Sequence, residues 1–528
     1  MQNFKEWIFT SDHKRIGILY LIGSFAGFGL AGIAALIIRL QQYSPGMDVA
    51  QGQFYNNVLY FHGAAMILAF LIPGLTGFFG NYFLPIMIGA KDMAFPRLNA
   101  FSVWLYWMGI VLALISMVVP DAPDVLWTGY PPYSIKTTAN TAFYVFTVHL
   151  MGFSSIVGAI NIIVTVACMR APGVGWNQLP LLVWSLLGSL TINLIFIPVL
   201  GAAVTLLLTD KYMGTHFFDP ANGGDVLLYQ NLFWFYSHPA VYVIFLPAMG
   251  ILFEVISTMG QNPVFNYKAA VYGGVCGIGA LSGEVWVHHL YTSGIPDWIR
   301  IAMTVTTLLI SVPVGVMTIS LWGTLYKAAI RYNIAMYYAT ACLFLLLVGG
   351  LTGIPLAMVS MTVHLAKTSY VHAHFHFVMA LFATFSIFSG VYFWFPKMTN
   401  RFAETKLGYA GFWLSFIGAI TTFTPLFIIG VAGMPRRYWD YDQFPAWFTD
   451  YHHIATYGAF TMGTGMLLAL VNFVYCAFAG EKCTSNNPWN SNSLEWTHAV
   501  SPPGPGNFLH DVSVPAGWSP YQYGPNRV

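Results

Sequence analysis

Three histidines, His372, His374 and His376, lie within Tyr370-Val-His-Ala-His-Phe-His-Phe377, inside an apolar run that continues through Val378-Met-Ala-Leu-Phe382. Imidazole is expensive to place in hydrocarbon, so an intramembrane cluster of this kind marks a functional site. On an α-helix, positions two apart are separated by about 200°. His374 and His376 are therefore expected on nearly opposite sides, where one helix can ligate two cofactors. The alternative is three imidazoles hydrogen-bonded to neighbouring helices. Against it stand four more histidines in or at the ends of apolar runs: His62, His238, His288 and His289. Neutral imidazole binds copper, non-haem iron and haem iron alike, so the ligand type leaves the metal open.

The elements that must position these rings are membrane helices. The chain has 528 residues, of which 57% are hydrophobic and 8% charged. Its mean hydropathy of +0.64 excludes an ordinary soluble domain. The net charge of +2 gives no footprint for nucleic acid. Aromatic residues make up 17%, which suits interfacial belts and a large planar cofactor. Cys168, Cys276, Cys342, Cys476 and Cys483 have no CxxC spacing, which argues against disulfides, an iron–sulfur cluster or a thiolate copper site. The polar start leads straight into a full-length span, so no cleavable signal peptide is expected.

Runs long enough to cross about 30 Å of hydrocarbon fall near 16–40, 55–88, 98–119, 139–168, 180–208, 231–257, 269–290, 300–326, 335–360, 370–396, 408–431 and 455–478. An all-α membrane protein of twelve transmembrane helices is predicted, with both termini on one side. Lys and Arg outnumber those of the opposite loops fourteen to seven on the side that holds the termini, which places both termini in the cytoplasm. The division is residues 1–478 as one membrane domain and 479–528 as an irregular tail rich in Pro, Asn and Ser.

This set of histidines, in this order, resembles subunit I of the haem–copper oxidoreductases, the cytochrome c oxidase superfamily. Further matching stretches are Phe79-Gly-Asn-Tyr-Phe-Leu-Pro85, Ala90-Lys-Asp-Met-Ala-Phe-Pro-Arg-Leu-Asn99, Ser154-Ser-Ile-Val-Gly-Ala-Ile-Asn161, Phe217-Phe-Asp-Pro220, Gly349-Gly-Leu-Thr-Gly353 and Gly433-Met-Pro-Arg-Arg-Tyr438. The tail's Leu494-Glu-Trp496 and Ser501-Pro-Pro503 resemble bacterial members. The resemblance implies the haem–copper oxidase subunit I fold over 1–478 and a place in the bacterial inner membrane. It implies two haems of the a type. His62 and His376 would be the axial ligands of a low-spin haem, and His374 the proximal ligand of a high-spin haem. His238, His288 and His289 would hold a non-haem metal, Fe or Cu. Arg436 and Arg437 would pair with haem propionates, and Arg39 would lie near a ring substituent. Tyr242 matches the family's active-site tyrosine, covalently bonded to the histidine at His238. Asp92, Asn81, Asn99 and Asn161 match its cytoplasmic proton entry. Tyr236 and Ser237 before His238, with Ala240 nearby, resemble one bacterial oxidase subgroup. The expected partners are a second subunit carrying dinuclear copper or haem c, a soluble cytochrome c or copper-protein donor, and a small gas substrate.

The departures bear on that substrate. The family's second proton channel has Thr, Lys and Ser where this chain has Val314, Met317 and Phe253. A water chain needs polar partners, so the three apolar side chains close that route. Ala366-Lys367 stand where the oxidases' magnesium site has His-Asp, so that ion is not expected. Glu254, Lys367 and His372 are further unusual residues. Glu284 replaces an apolar residue four positions before His288. On an α-helix it would share that histidine's face and become a fourth ligand. A hard oxygen ligand beside three imidazoles suits iron over copper. The leading expectation is therefore an oxidase-derived nitric oxide reductase of denitrification. The alternative is an O2-reducing cytochrome c oxidase of a respiratory chain, with or without proton pumping. A third reading, a haem-carrying gas sensor or electron relay, sits poorly with a complete non-haem ligand set and predicts no steady-state turnover.

Overall fold

The computed structural model describes residues 2–523. In lipid every backbone N–H and C=O must find a partner within the chain, and helices alone do so segment by segment. Eleven helices are long and apolar enough to cross a membrane, each with a window of mean hydropathy between 1.7 and 2.2. They are α1 (His13–Gln41), α2 (Gly52–Tyr82), α3 (Pro96–Val118), α4 (Thr141–Cys168), α5 (Leu181–Tyr212) and α6 (Val226–Gly260), followed by the interrupted segment α7 described below. Then come α8 (Asp297–Leu325), α9 (Ile334–Ala357), α10 (Ser369–Thr399), α11 (Lys406–Val431) and α12 (Phe448–Ala479). Among the described residues no strand forms; the only β pairing is the isolated bridges Thr368–Pro435 and Arg401–Lys482.

The predicted twelfth span, 269–290, is not one helix. Its α7 stretch is a π turn (Ala269–Val275) and a short α-helix (Cys276–Leu281), followed by 3-10 turns at Ser282–Glu284 and Trp286–Leu290. Val285 breaks the last two with φ −131°. π turns also interrupt α2 at Ala65–Leu71 and Pro73–Phe78, and α10 at His376–Leu381. Single π turns inside helices concentrate at functional sites, and two of these four adjoin a predicted ligand.

Local chemistry starts several helices. Asp12, Asn140 and Asp225 accept from the second backbone N–H of α1, α4 and α6, and Thr405 does the same at the third position of α11. Such caps satisfy N–H groups that the helix itself leaves open. Small residues then let helices approach closely where lipid offers no hydrophobic drive. A Cβ on Gly418 of α11 would lie 2.3 Å from Met462 N of α12, and one on Gly465 would lie 2.3 Å from Ser415 N of α11.

Burial ranks the helices. The most apolar window is 89% buried in α6, 83% in α10 and 72% in α2, against 17% in α8. The three most enclosed helices are those that carry His238, His374 with His376, and His62.

The tail packs closely despite its irregular backbone. Trp489, Trp496, Trp518 and Tyr521 are buried. Asn507 accepts from His13 and Lys14 at the start of α1, at 2.9 and 3.1 Å. Lys397 at the end of α10 donates to Ala499 O at 2.8 Å. The start of α5 has no side-chain cap of its own. The Tyr521 phenol supplies one, accepting from Leu181 N at 2.6 Å and donating to the buried Glu254 carboxylate at 2.6 Å.

Tyr521→Phe removes that hydroxyl and leaves two buried groups short of a partner, at a cost of about 1–3 kcal/mol. The purified Tyr521→Phe protein should unfold at a lower temperature than the wild type in the same detergent. An equal midpoint would show that the tail's docking contributes nothing there.

Candidate metal and cofactor site

His238, one turn into the enclosed part of α6, meets His288 and His289 from the 3-10 turn that ends α7. Their ligand atoms all lie within 4.8 Å of one another. His238 Nδ1 is 3.1 Å from His289 Nε2. Two nitrogens bound to one ion at about 2.0–2.1 Å in tetrahedral geometry would be roughly 3.3 Å apart, so the pair fits the chord across a shared metal. The His288 ring stands 4.5 Å from that of His238 at 88°. His238 Nε2 is buried without a hydrogen-bond partner, and the only partner of its Nδ1 is His289 Nε2. The Tyr242 ring, one turn along, lies 4.9 Å away.

Residues that the sequence reading passed over hold these rings. Trp234 stacks on His289 at 3.6 Å and 9°. Thr307 of α8 faces His288 Nδ1 at 3.4 Å. Trp234 precedes His238 by one helical turn, which is the signal that could have identified it. Thr307 comes from another helix and left no signal.

Two further imidazoles are oriented by backbone carbonyls. His62 Nδ1 lies 3.0 Å from Ala31 O, and His376 Nδ1 lies 2.7 Å from His372 O. A carbonyl can only accept, so Nδ1 carries the proton and Nε2 is left as a lone-pair donor. His376 stacks on Phe423 of α11 at 4.3 Å. His374 faces α9 instead: its Nδ1 is 3.3 Å from Thr352 Oγ1, and a Cβ on Gly353 would meet its ring at 2.9 Å. The two rings thus face different helices.

All six predicted histidine ligands and His372 line one cavity of about 1020 Å³, together with Tyr242, Arg39, Lys367, Arg436 and Arg437. Glycines 29, 32 and 350 present open backbone to it or beside it, with nothing within 4 Å of a Cβ. A slot of this breadth, apolar along its length, fits planar macrocycles held by axial imidazoles. Arg39 donates to Gln42 Oε1, His452 O and Thr456 Oγ1, yet its Nε stays buried and unpartnered. That donor suits a polar substituent on a ring edge.

Arg436 and Arg437 follow α11. Arg437 adopts φ +66°, a left-handed conformation that costs an L residue about 1 kcal/mol. Both consecutive guanidiniums line the cavity. Burial, then Arg437, pushes Arg436 down to about 10. Burial, then Arg436 and Arg437, lowers the Lys367 ammonium below the usual lysine range.

Of the predicted proton residues, Asn81 and Tyr236 line one small cavity. Asn161 exchanges hydrogen bonds with the Phe95 backbone, at 2.9 and 3.2 Å. Asn99 is fully buried with neither amide atom paired, and Asn81 Oδ1 is likewise unpaired. Unpaired buried amides of this kind attract water. A cavity of about 40 Å³ runs from Asn81 past Tyr20, Thr76 and Ser154 to Tyr236. Tyr236 lines the large cavity as well, and Ser237 beside it does too. Burial raises the Asp92 carboxyl above the usual range.

Glu284 is a correction. It is exposed, and it lies outside the group of ligand atoms formed by the three histidines. The same-face expectation assumed an α-helix, whereas residues 282–290 form 3-10 turns broken at Val285. What reaches toward α8 is its backbone carbonyl, which accepts from Thr306 Oγ1 at 2.7 Å. Glu254 points away from the metal site, toward α5 and Tyr521. Met317 and Phe253 are fully buried, and Val314 lines the large cavity.

Comparison with known proteins follows the same lines. The sequence profile of the family described as "Cytochrome C and Quinol oxidase polypeptide I" matches residues 15–461. Cytochrome c oxidase subunit 1 of Thermostichus vulcanus is 41% identical over 527 residues, covering 99% of this chain and 94% of the relative. Cytochrome c oxidase subunit 1 of Cereibacter sphaeroides is 40% identical over 539 residues, covering 95% and 94%. The cryo-EM structure of a haem–copper terminal oxidase dimer superposes with a TM-score of 0.73 at 19% identity, over 88% of this chain and 84% of that one.

Two substitutions test the assignment. Glu284→Gln should leave the non-haem metal content and turnover at wild-type levels; loss of the metal would return Glu284 to the ligand set. His376→Ala should abolish the low-spin haem absorbance and spare the high-spin signal. Loss of the high-spin signal alone would exchange the roles of His374 and His376.

Proposed function

The chain belongs to the cytochrome c and quinol oxidase polypeptide I family, and on that premise we propose that it is the catalytic subunit of a membrane-bound terminal oxidase that reduces O2 to water. The observation that carries this reading is a three-histidine metal set with no carboxylate in it. Three imidazoles suit copper, and Glu284, which favoured iron, is turned away.

His62 and His376, whose Nδ1 atoms are spent on carbonyls, would hold one haem for electron transfer. His374 would hold a second haem, and His238, His288 and His289 a copper. Those two metals would supply electrons to a gas bound at this centre. The balance is O2 + 4 e⁻ + 4 H⁺ → 2 H2O. Tyr242, 4.9 Å from His238 ring to ring, is the chain's own source of a hydrogen atom beside that gas. Asp92, the buried asparagines 81, 99 and 161, the small cavity, Tyr236 and Ser237 form the route by which protons arrive from the cytoplasm. Arg39, with its unpartnered Nε, favours a ring with a carbonyl substituent, hence haem a. The N- and C-termini lie on the cytoplasmic side of a bacterial inner membrane, as the bias of Lys and Arg favours. Electrons enter through a second subunit with dinuclear copper or haem c, supplied by a soluble donor, since the cysteines of this chain are dispersed.

One observation favours a second reading, reduction of NO: 2 NO + 2 e⁻ + 2 H⁺ → N2O + H2O. Met317, Phe253 and Val314 are apolar where the family's second proton channel has Lys, Ser and Thr, and a reaction without O–O cleavage does not need that channel.

Steady-state turnover of the purified complex with an artificial donor, under O2 and NO in separate runs, decides between them. The expected outcome is O2 consumption at least about tenfold faster than NO consumption, a barrier difference of about 1.4 kcal/mol, with one copper per complex beyond any held by the second subunit. Faster N2O production, with iron in excess of haem and no copper beyond that of the second subunit, would overturn it in favour of the reductase.

A further inference from the structure

Lys367, Arg436 and Arg437 line the same end of the large cavity. Among the described residues none of the three enters an ion pair, and none donates a side-chain hydrogen bond. Two guanidiniums offer five N–H donors each and an ammonium three, so this end of the cavity is a concentration of unspent donors.

The backbone fixes the arrangement. Residues 367–369 run antiparallel to 434–436: Arg436 N donates to Lys367 O at 3.1 Å and Ser369 N to Met434 O at 2.9 Å, on either side of the Thr368–Pro435 bridge. Ser369 Oγ adds a bond to Pro435 O at 2.9 Å. Lys367 and Arg436 are therefore held as direct neighbours, and the left-handed turn at Arg437 brings in the third cation. The electrostatic neighbours of Lys367 are Arg436 and Arg437, and the phenol of Tyr130 faces both arginines; no carboxylate contributes at any of the three. Lys367 is exposed and the two arginines are half-buried where they line the cavity; three like charges held this close without a counter-ion repel one another. An anionic ligand reverses the sign.

We propose that Lys367 is a third propionate-binding residue, an ammonium that neutralises the carboxylate edges of the two haems beside Arg436 and Arg437 and makes a divalent cation unnecessary there. The inference rests on the haem-binding part of the proposed function and not on the choice between O2 and NO. Each haem brings two propionates, four negative charges in all. Two arginines leave two of these uncompensated, and Lys367 reduces that to one. The two planar forks suit bidentate carboxylates, and the flexible ammonium suits a remaining oxygen as a point charge.

The test is haem content and redox titration of the purified complex carrying Lys367→Gln or Lys367→Arg. Removing a positive charge beside the propionates disfavours the added electron. Lys367→Gln should retain both haems and lower the midpoint of at least one, by about tenfold in the reduction equilibrium, ~59 mV for one electron. Lys367→Arg should stay within about threefold of wild type. Added Mn2+ should give no bound-manganese resonance in the wild type. Unchanged midpoints in Lys367→Gln with both haems present would overturn the proposal, as would a stoichiometric bound Mn2+ in the wild type. If Lys367→Gln loses haem, retention in Lys367→Arg supports the charge role, and loss in both variants overturns it. Fewer than two haems per wild-type chain would instead remove the haem-binding reading itself.

Discussion

A neutral imidazole has one N–H and one lone pair, and inside a membrane neither can be left to water. The site follows from how that requirement is met. His62 and His376 give their N–H to carbonyls within the bundle, Ala31 O and His372 O. Each bond fixes the tautomer and aims Nε2 into the cavity. His238, His288 and His289 instead bring ligand nitrogens within 4.8 Å of one another, an arrangement able to hold a metal ion. The three most enclosed helices are the ligand carriers because a lone pair facing lipid would be wasted. Trp234, stacked on His289, and Phe423, stacked on His376, then limit ring rotation.

The cavity is sorted by charge along its length. Its walls are largely apolar, and Lys367, Arg436 and Arg437 are neighbours on its lining. The smaller cavity contributes hydroxyls and unpaired amides on the side of Asn81 and Tyr236. Tyr236 touches both spaces and belongs to the helix of His238, so the proton side and the metal side share one rigid element.

Irregular backbone appears where function needs a direction that an α-helix cannot supply. The 3-10 turn at Trp286–Leu290 lets consecutive histidines converge on one point, since their rings lie 4.2 Å apart. The same turn rotates Glu284 out of the site. A feature that seemed to add a ligand is therefore a by-product of the geometry that brings the other ligands in. At the opposite face, the tail replaces missing caps and partners, as Tyr521 does for α5 and Glu254.

The amino-acid sequence by itself determined the membrane class, the span positions, the histidine inventory and the family resemblance. Those depend on composition, on run length and on residue order, which survive without knowledge of contacts. It also set His374 and His376 on different sides, because any helical turn, α or π, separates positions two apart by a wide angle. Only the tertiary structure decided where Glu284 points, because the local period depends on which hydrogen-bond ladder the packing selects: 3-10 here, α in the sequence reading. Only it joined Lys367 to Arg436, and Tyr521 to Glu254, through pairings between segments far apart in the chain. No periodicity records such contacts, since each is specified by two surfaces that meet only after the helices have packed.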